Sequence, residues 1–216
     1  RTVGAAPSTT VVLTIGQKTA TVNGQTVTMD TTAVIDAKTS RTMVPVRFVA
    51  EGLGAYVHWD ASARTVTYLS GDKTLVLKIG SKTATVNDKP LAMDAAPYID
   101  KASRTMVPVR FVSEGMGAKV EWNAAKRQVT VTAPWRSAVV VMRGDKFVPA
   151  SVSIPAGGRV VWVNEDQAVH NVVVKDSLES PLIKQLTAYS HTFDKAGTID
   201  YTCTLHANMN GTITVK

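Results

Sequence analysis

The segment Arg41-Thr42-Met43-Val44-Pro45-Val46-Arg47-Phe48-Val49 returns unchanged at Arg104–Val112, and it is the centre of a longer internal repeat with a period of roughly 64 residues. Ile15-Gly16 with Lys18-Thr19-Ala20-Thr21-Val22-Asn23 recurs as Ile79-Gly80 with Lys82-Thr83-Ala84-Thr85-Val86-Asn87. Met29-Asp30 recurs as Met93-Asp94, Ile35-Asp36 as Ile99-Asp100, Glu51-Gly52 as Glu114-Gly115, Gly54-Ala55 as Gly117-Ala118, and Trp59 as Trp122. Between Asp36 and Arg41 the first copy carries one extra residue, which marks a surface loop. A chain built this way folds its first half as two related units. The repeat stops near Ala133-Pro134-Trp135-Arg136, and a different domain follows.

Each copy is legible element by element. Val11–Ile15 and Thr19–Val22 have strand composition and are joined by a short turn containing Gly16. Asn23-Gly24 signals a second turn. Pro45 suits the first turn of a short helix, along which Val46, Val49, Ala50 and Leu53 mark one buried face. Gly54 is placed to end that helix in a left-handed conformation. Tyr56–Trp59 and Arg64–Tyr68 flank a turn at Asp60–Ala63 and read as a hairpin. Each unit is therefore expected to be β-β-α-β-β, one helix on a small antiparallel sheet. The expected units are residues 9–70 and 73–133, within a domain spanning 9–133. Arg47/Glu51 and Arg110/Glu114 are four apart and read as helix-stabilising ion pairs. Met29, Met43, Met93 and Met106 stand singly at apolar positions, so they read as core filling rather than as a soft-metal run.

The chain of 216 residues has a formal net charge of +7, unevenly distributed. Residues 1–134 hold 16 Lys and Arg against 10 Asp and Glu, while residues 135–216 hold 8 against 7. A solvated surface accounts for this; adhesion of the first part to an anionic polymer such as a cell wall is the second reading. No dense basic run, basic helix or aromatic-basic sheet motif points to nucleic acid. No apolar run approaches the roughly 20 residues of a membrane span. The chain starts Arg1-Thr2-Val3-Gly4 without Met, which reads as a mature or trimmed form of an exported protein.

From Ser137 onward the pattern is of strands throughout. These are Val139–Met142, a bent strand through Phe147–Val148 and Ser151–Ile154, Arg159–Asn164, Asn171–Val174, Ser190–Phe193, Thr198–Tyr201 and Gly211–Val215. About seven short strands in some 80 residues argue a β-sandwich over 137–216. Into it are set Cys203, His206 and Met209 on one short loop, and His170 upstream. Cys203 is the sole cysteine, so it forms no disulfide within the chain. One thiolate, two imidazoles and a thioether are the donors of a mononuclear copper site that passes electrons. A trigonal His₂Cys plane with a weak thioether suits both Cu(I) and Cu(II), so little moves when an electron arrives. Zinc is a second candidate occupant for Cys and two His, but the thioether favours copper. His191 stands where Ser or Thr is common and reads as a non-ligand, and His58, replaced by Glu121 in the second copy, reads as a surface strand residue.

Two resemblances follow from these residues. Arg-Thr-Met-Val-Pro-Val-Arg-Phe-Val-x-Glu-Gly-x-Gly-Ala-x-Val-x-Trp, present twice over residues 9–133, resembles the copper amine oxidase N-terminal-like (stalk) domain. It implies a non-catalytic spacer or attachment module of exported proteins; the ligands and bulk of an amine oxidase catalytic domain are missing. Phe147-x-Pro149, Trp162-x-Asn164, His170-Asn171-Val172 and Tyr201-x-Cys203-x2-His206-x2-Met209-x-Gly211 resemble the cupredoxin family, in its amicyanin- and plastocyanin-like type 1 copper branch. That resemblance implies an all-β Greek-key sandwich holding one copper. Its ligands would be His170, Cys203, His206 and axial Met209, with the backbone N–H of Asn171 bonded to the Cys sulfur. Leu205, where Pro is frequent, and Ala207-Asn208 depart from the usual loop.

Together these readings imply a mixed fold, α+β followed by all-β, and no enzyme: no nucleophile triad, phosphate loop or paired-carboxylate cleft is present. The expected function is an exported blue copper protein carrying one electron between redox protein partners. Its stalk would hold it at the cell surface or wall, outside the cell. Copper storage or delivery, and adhesion with an incidental copper site, are the alternatives.

Overall fold

Residues 7–216 are described by the computed structural model, with one apolar core running from Val11 to Ala133 and a second from Val140 to Val215. In the first body the copies do not build separate sheets. Thr9–Thr14, which opens copy one, pairs along its length with Gln128–Ala133, which closes copy two. Thr65–Ser70, which closes copy one, pairs with Lys73–Lys78, which opens copy two. Two five-stranded antiparallel sheets result, each taking two strands from one copy and three from the other. The sequence leaves open whether the copies fold separately or share sheets; they share them, and the reason is local. Ser70 lies opposite Lys73 across a Gly71-Asp72 turn, with Gly71 at φ +66°. So short a turn places the next copy's first strand beside its predecessor and leaves no length to start a new sheet.

A third, four-stranded sheet joins the copies at their centre. Thr42–Pro45 runs antiparallel to Thr105–Pro108, with Val44 opposite Val107 and Met43 opposite Pro108. The two segments have the same sequence, so the pairing is symmetric about Val44 and Val107. The ion pair Asp30–Arg104 (2.8 Å) and the contact Arg41–Asp94 tie one copy to the other in the same reciprocal way. The helices Val46–Gly52 and Val109–Gly115 begin directly after Pro45 and Pro108. Val46, Val49, Ala50 and Leu53 are buried, and Gly54 turns out of the helix at φ +71°. Arg47–Glu51 and Arg110–Glu114 each stand 3.8 Å apart and exposed, worth a few tenths of a kcal/mol. Met29, Met43, Met93 and Met106 are all buried.

The second body is a two-layer sandwich. One sheet holds Phe147–Val148, Ser137–Met142, Gly158–Asn164 and Ala188–Phe193; the other holds Ser151–Ile154, Asn210–Val215, Gly197–Thr202, Val173–Val174 and Leu178–Glu179. The single bent strand expected at 147–154 is in fact divided between the two sheets at Pro149, its halves pairing with Ser137–Met142 and Asn210–Val215. Asn171 and Val172, expected to extend a strand, lie outside it. Trp162, wholly buried, anchors the interior with Tyr201 edge-on at 5.5 Å.

The two bodies pack closely. Along Gly158–Asn164 the side chains of Val160 and Trp162 join the sandwich core, while Val161 and Val163 cluster with Leu69, Tyr56, Val139 and Ala188 at the junction. This strand is buried on both faces, which explains its nearly unbroken apolar sequence. Arg159 donates to Ser70 (2.6 Å) and stacks over Trp135 at 4.4 Å, and the Trp135 indole N–H donates to the Leu53 carbonyl (3.1 Å). A Cβ added to Gly71 would fall 2.3 Å from Ser190 Oγ, and one added to Gly54 2.7 Å from Ser137 Cβ, so both sites need glycine for close approach.

Candidate metal centre

Cys203 follows Gly197–Thr202 directly, and the chain turns back within seven residues to begin Asn210–Val215. The turn is closed by the Cys203 amide donating to the Met209 carbonyl (3.0 Å) and by Thr202 Oγ1 donating to the same oxygen (3.0 Å). Pairing of Thr202 with Asn210 holds its base. The loop therefore presents Cys203, His206 and Met209 from a fixed frame. His170 arrives from the adjoining segment, where its backbone exchanges hydrogen bonds with Ile183 (3.2 and 2.7 Å).

The side chains converge. Cys203 Sγ lies 3.8 Å from His170 Nδ1 and 3.6 Å from His206 Nδ1. Bonds of ~2.0 Å to nitrogen and ~2.3 Å to sulfur, spread trigonally about one ion, would place N and S ~3.7 Å apart. Cys203 and His170 are buried and Met209 is wholly so, within the same apolar cluster as Cys203, while His206 keeps about a quarter of its side chain in solvent. A buried thiol beside two imidazoles, with a thioether in the same dry cluster, fits copper better than zinc.

A carboxylate fixes the first imidazole. His170 Nε2 lies 3.0 Å from Asp166 Oδ2, a carboxylate that can only accept, which favours a proton on Nε2 and directs Nδ1 at the thiol. Burial acts to raise the Asp166 carboxyl, but donation from the Gly144 and Asp145 amides and from His170 outweighs it and holds the group below its usual range. Asp145 adds an exposed carboxylate 3.9 Å from His170 Nε2 and 3.7 Å from His206 Nε2. Neighbouring Glu165, raised by burial and then by Asp166, meets Arg143 and the Tyr56 hydroxyl, which comes from the repeat body.

Asn171 also acts through its side chain. It clamps the residue after Cys203 in the metal loop: Oδ1 accepts from the Thr204 amide (2.9 Å) and Nδ2 donates to Thr204 Oγ1 (2.9 Å). The other histidines stand apart. His191 packs edge-on against Phe193 at 4.9 Å, and His58 lies on Tyr56–Asp60 in the repeat body. Asp145 and Asp166 are site residues that sequence reading missed. The i, i+4 spacing of Asp166 and His170 was a faint signal; Asp145, on another loop, left none.

Comparison with known proteins finds relatives of both bodies. The family described as the copper amine oxidase N-terminal domain matches residues 1–55 and 37–131, and the cupredoxin-like domain family matches residues 116–215. The chain is 33% identical to amicyanin of Paracoccus versutus over 116 residues, covering 47% of this chain and 86% of that protein. Amicyanin-alpha of Methylorubrum extorquens is 36% identical over 90 residues, covering 39% and 76%. Plastocyanin of Scenedesmus fuscus is 40% identical over 84 residues, covering 32% and 86%.

Proposed function

Because this chain belongs to the cupredoxin family through its C-terminal part, and to the copper amine oxidase N-terminal domain family through its first 131 residues, we propose that it is a surface-held carrier of single electrons. In this reading residues 9–133 form the holding domain and residues 137–216 the carrier. His170, Cys203, His206 and Met209 are the ligands of one type 1 copper. Bound among them, copper supplies the one-electron couple. The observation that carries the reading is the convergence of both Nδ1 atoms on Cys203 Sγ at 3.8 and 3.6 Å, in a dry cluster that includes Met209.

The remaining residues have distinct parts. Asp166 holds the His170 ring and its proton, so the ring needs no reorientation between oxidation states. The Asn171–Thr204 clamp and the Cys203–Met209 turn keep the loop from relaxing, which lowers the reorganisation that slows transfer. His206 presents an edge to solvent beside exposed Leu205, and Val169, next to His170, is exposed as well. An apolar rim around a solvent-edged imidazole suits brief contact with a redox protein partner at that edge. The working location is outside the cytoplasm. No helix among the described residues is long and apolar enough to cross a membrane, and the excess of basic charge before residue 134 favours an anionic surface such as a cell wall.

Visible absorption and EPR of the copper-loaded protein test the assignment. An intense thiolate-to-metal band is expected, lost in Cys203→Ser and kept with a shifted reduction potential in Met209→Leu. A band surviving Cys203→Ser refutes the ligand set. Rapid loss of Cu(I) to a competing chelator, with slow electron self-exchange, would indicate copper delivery instead.

A further inference from the structure

The repeat body contains an open groove of about 610 Å³ that none of the chemistry above uses. It lies between the edge strands Gln25–Thr28 and Tyr56–Asp60 and runs over the helix Val46–Gly52. Its lining combines the half-buried rings of Phe48 and Trp59 with two ion pairs, Asp30–Arg104 and Arg47–Glu51. Asp30 and Glu51 also face each other closely enough that Asp30 helps raise the Glu51 carboxyl, after burial.

The repeat provides an internal comparison. Positions outside the core differ between copies: exposed Gln25 and Ala63 become Lys89 and Lys126, and half-buried Tyr56 and His58 become Lys119 and Glu121. Of the sixteen residues that line the groove, fourteen are the same in the other copy, and only Val27 and Thr28 change, to Leu91 and Ala92. Phe111, the more exposed Trp122 and the pairs Arg41–Asp94 and Arg110–Glu114 repeat the set in copy two. Core packing accounts for identical buried residues. It does not by itself require that the half-buried Trp59, which lines the groove with the two ion pairs, return in copy two as the exposed Trp122.

We propose that this groove is a binding site for the sugar rings of an acidic polysaccharide, with the matching residues of copy two forming a second subsite for the same polymer. The proposal gives a site to the surface-holding reading above and rests on it. An aromatic face offers the apolar C–H side of a pyranose a flat platform, worth roughly 1 kcal/mol beyond buried area in aromatic contacts generally. Paired guanidinium and carboxylate groups present planar donors and acceptors at fixed angles, which suits ring hydroxyls and bidentate carboxylate recognition. The ion pairs leave the groove nearly neutral, while the 16 Lys and Arg against 10 Asp and Glu over residues 1–134 draw in a polyanion. Two subsites on one rigid body add avidity along a repeating polymer.

Calorimetric titration of the full copper-loaded chain with oligogalacturonate, neutral chito-oligosaccharide and polyglutamate tests this. Oligogalacturonate should bind, and Trp59→Ala should weaken it about tenfold. Arg47→Gln, at an exposed helix position that leaves the fold intact, should weaken it about fivefold, whereas Lys146→Gln, with the same charge change on the sandwich, should alter it less than about twofold. Equal losses in Arg47→Gln and Lys146→Gln, binding of polyglutamate alone, equally tight neutral sugar, or no binding would overturn the proposal. The visible band reports the metal site in every variant, so failure of the groove and failure of the carrier reading are separately visible.

Discussion

At the scale of single residues, two buried groups define the sandwich more than any surface contact does. His170 depends on Asp166, because without an acceptor for Nε2–H the imidazole is free to present the wrong nitrogen to Cys203. Tyr201 is set only two residues before Cys203, with its ring against Gly211, where an added Cβ would come within 2.3 Å of it. Burial pushes the Tyr201 hydroxyl up from 10.0 to about 12. In an unfolded chain the phenol ionises near 10, so its contribution to stability is complete below pH 10 and disappears as pH rises through about 12. A loss on the order of 2 kcal/mol is expected across that window. Denaturant titrations at successive alkaline pH values would show it, and Tyr201→Phe should flatten that slope. Equal slopes in the two proteins would dismiss the idea. The ligands were legible because three of them share one short loop with a recognisable spacing. Asn171 was legible in place, but its clamp on Thr204 was not, since that bond is made by its side chain across the fold.

At the scale of elements, the helices and hairpins could be read from local signals and their partnership could not. Pro45, the 3.6-residue apolar stripe and Gly54 bracket Val46–Gly52 within a residue or two. Nothing in a strand such as Val11–Thr14 says which neighbour it will take, because any strand with the right alternation satisfies its hydrogen bonds. The two-residue turn at Gly71-Asp72 made that choice, and the two copies became interleaved. Thr42–Pro45 was missed as a strand because it is short, ends in Pro and runs straight into a helix. The arrangement makes a definite prediction for a fragment of residues 7–70. It lacks the partner strands Gln128–Ala133 and Lys73–Lys78, so it should not form a folded monomer. With the self-complementary Thr42–Pro45 strand, it should assemble as a twofold dimer that repeats the interleaving. Sedimentation equilibrium checks this; a folded monomer would contradict the topology.

At the scale of the whole molecule, the two bodies share surfaces that only one copy of the repeat carries. Leu69 and Ser70, at the junction with the sandwich, become Thr132 and Ala133 in copy two, and Tyr56 becomes Lys119. That asymmetry was present in the sequence, but without a structure it reads as drift in a repeat. Leu69 is wholly buried, so Leu69→Asp places an unpaired carboxylate in an apolar contact and should cost about 3 kcal/mol or more. Calorimetry should show one unfolding transition in the parent protein and two in the variant, with the metal loop's visible band intact. A single transition in both would mean the bodies are coupled elsewhere.

The doubly covered strand Gly158–Asn164 carries a practical corollary for anyone dissecting this protein. Cut loose at Ser137, the electron carrier would enter water with a greasy valine flank where most freestanding proteins wear charge. A soluble miniature of it has to be repainted on that side before its redox behaviour is compared with that of the intact chain.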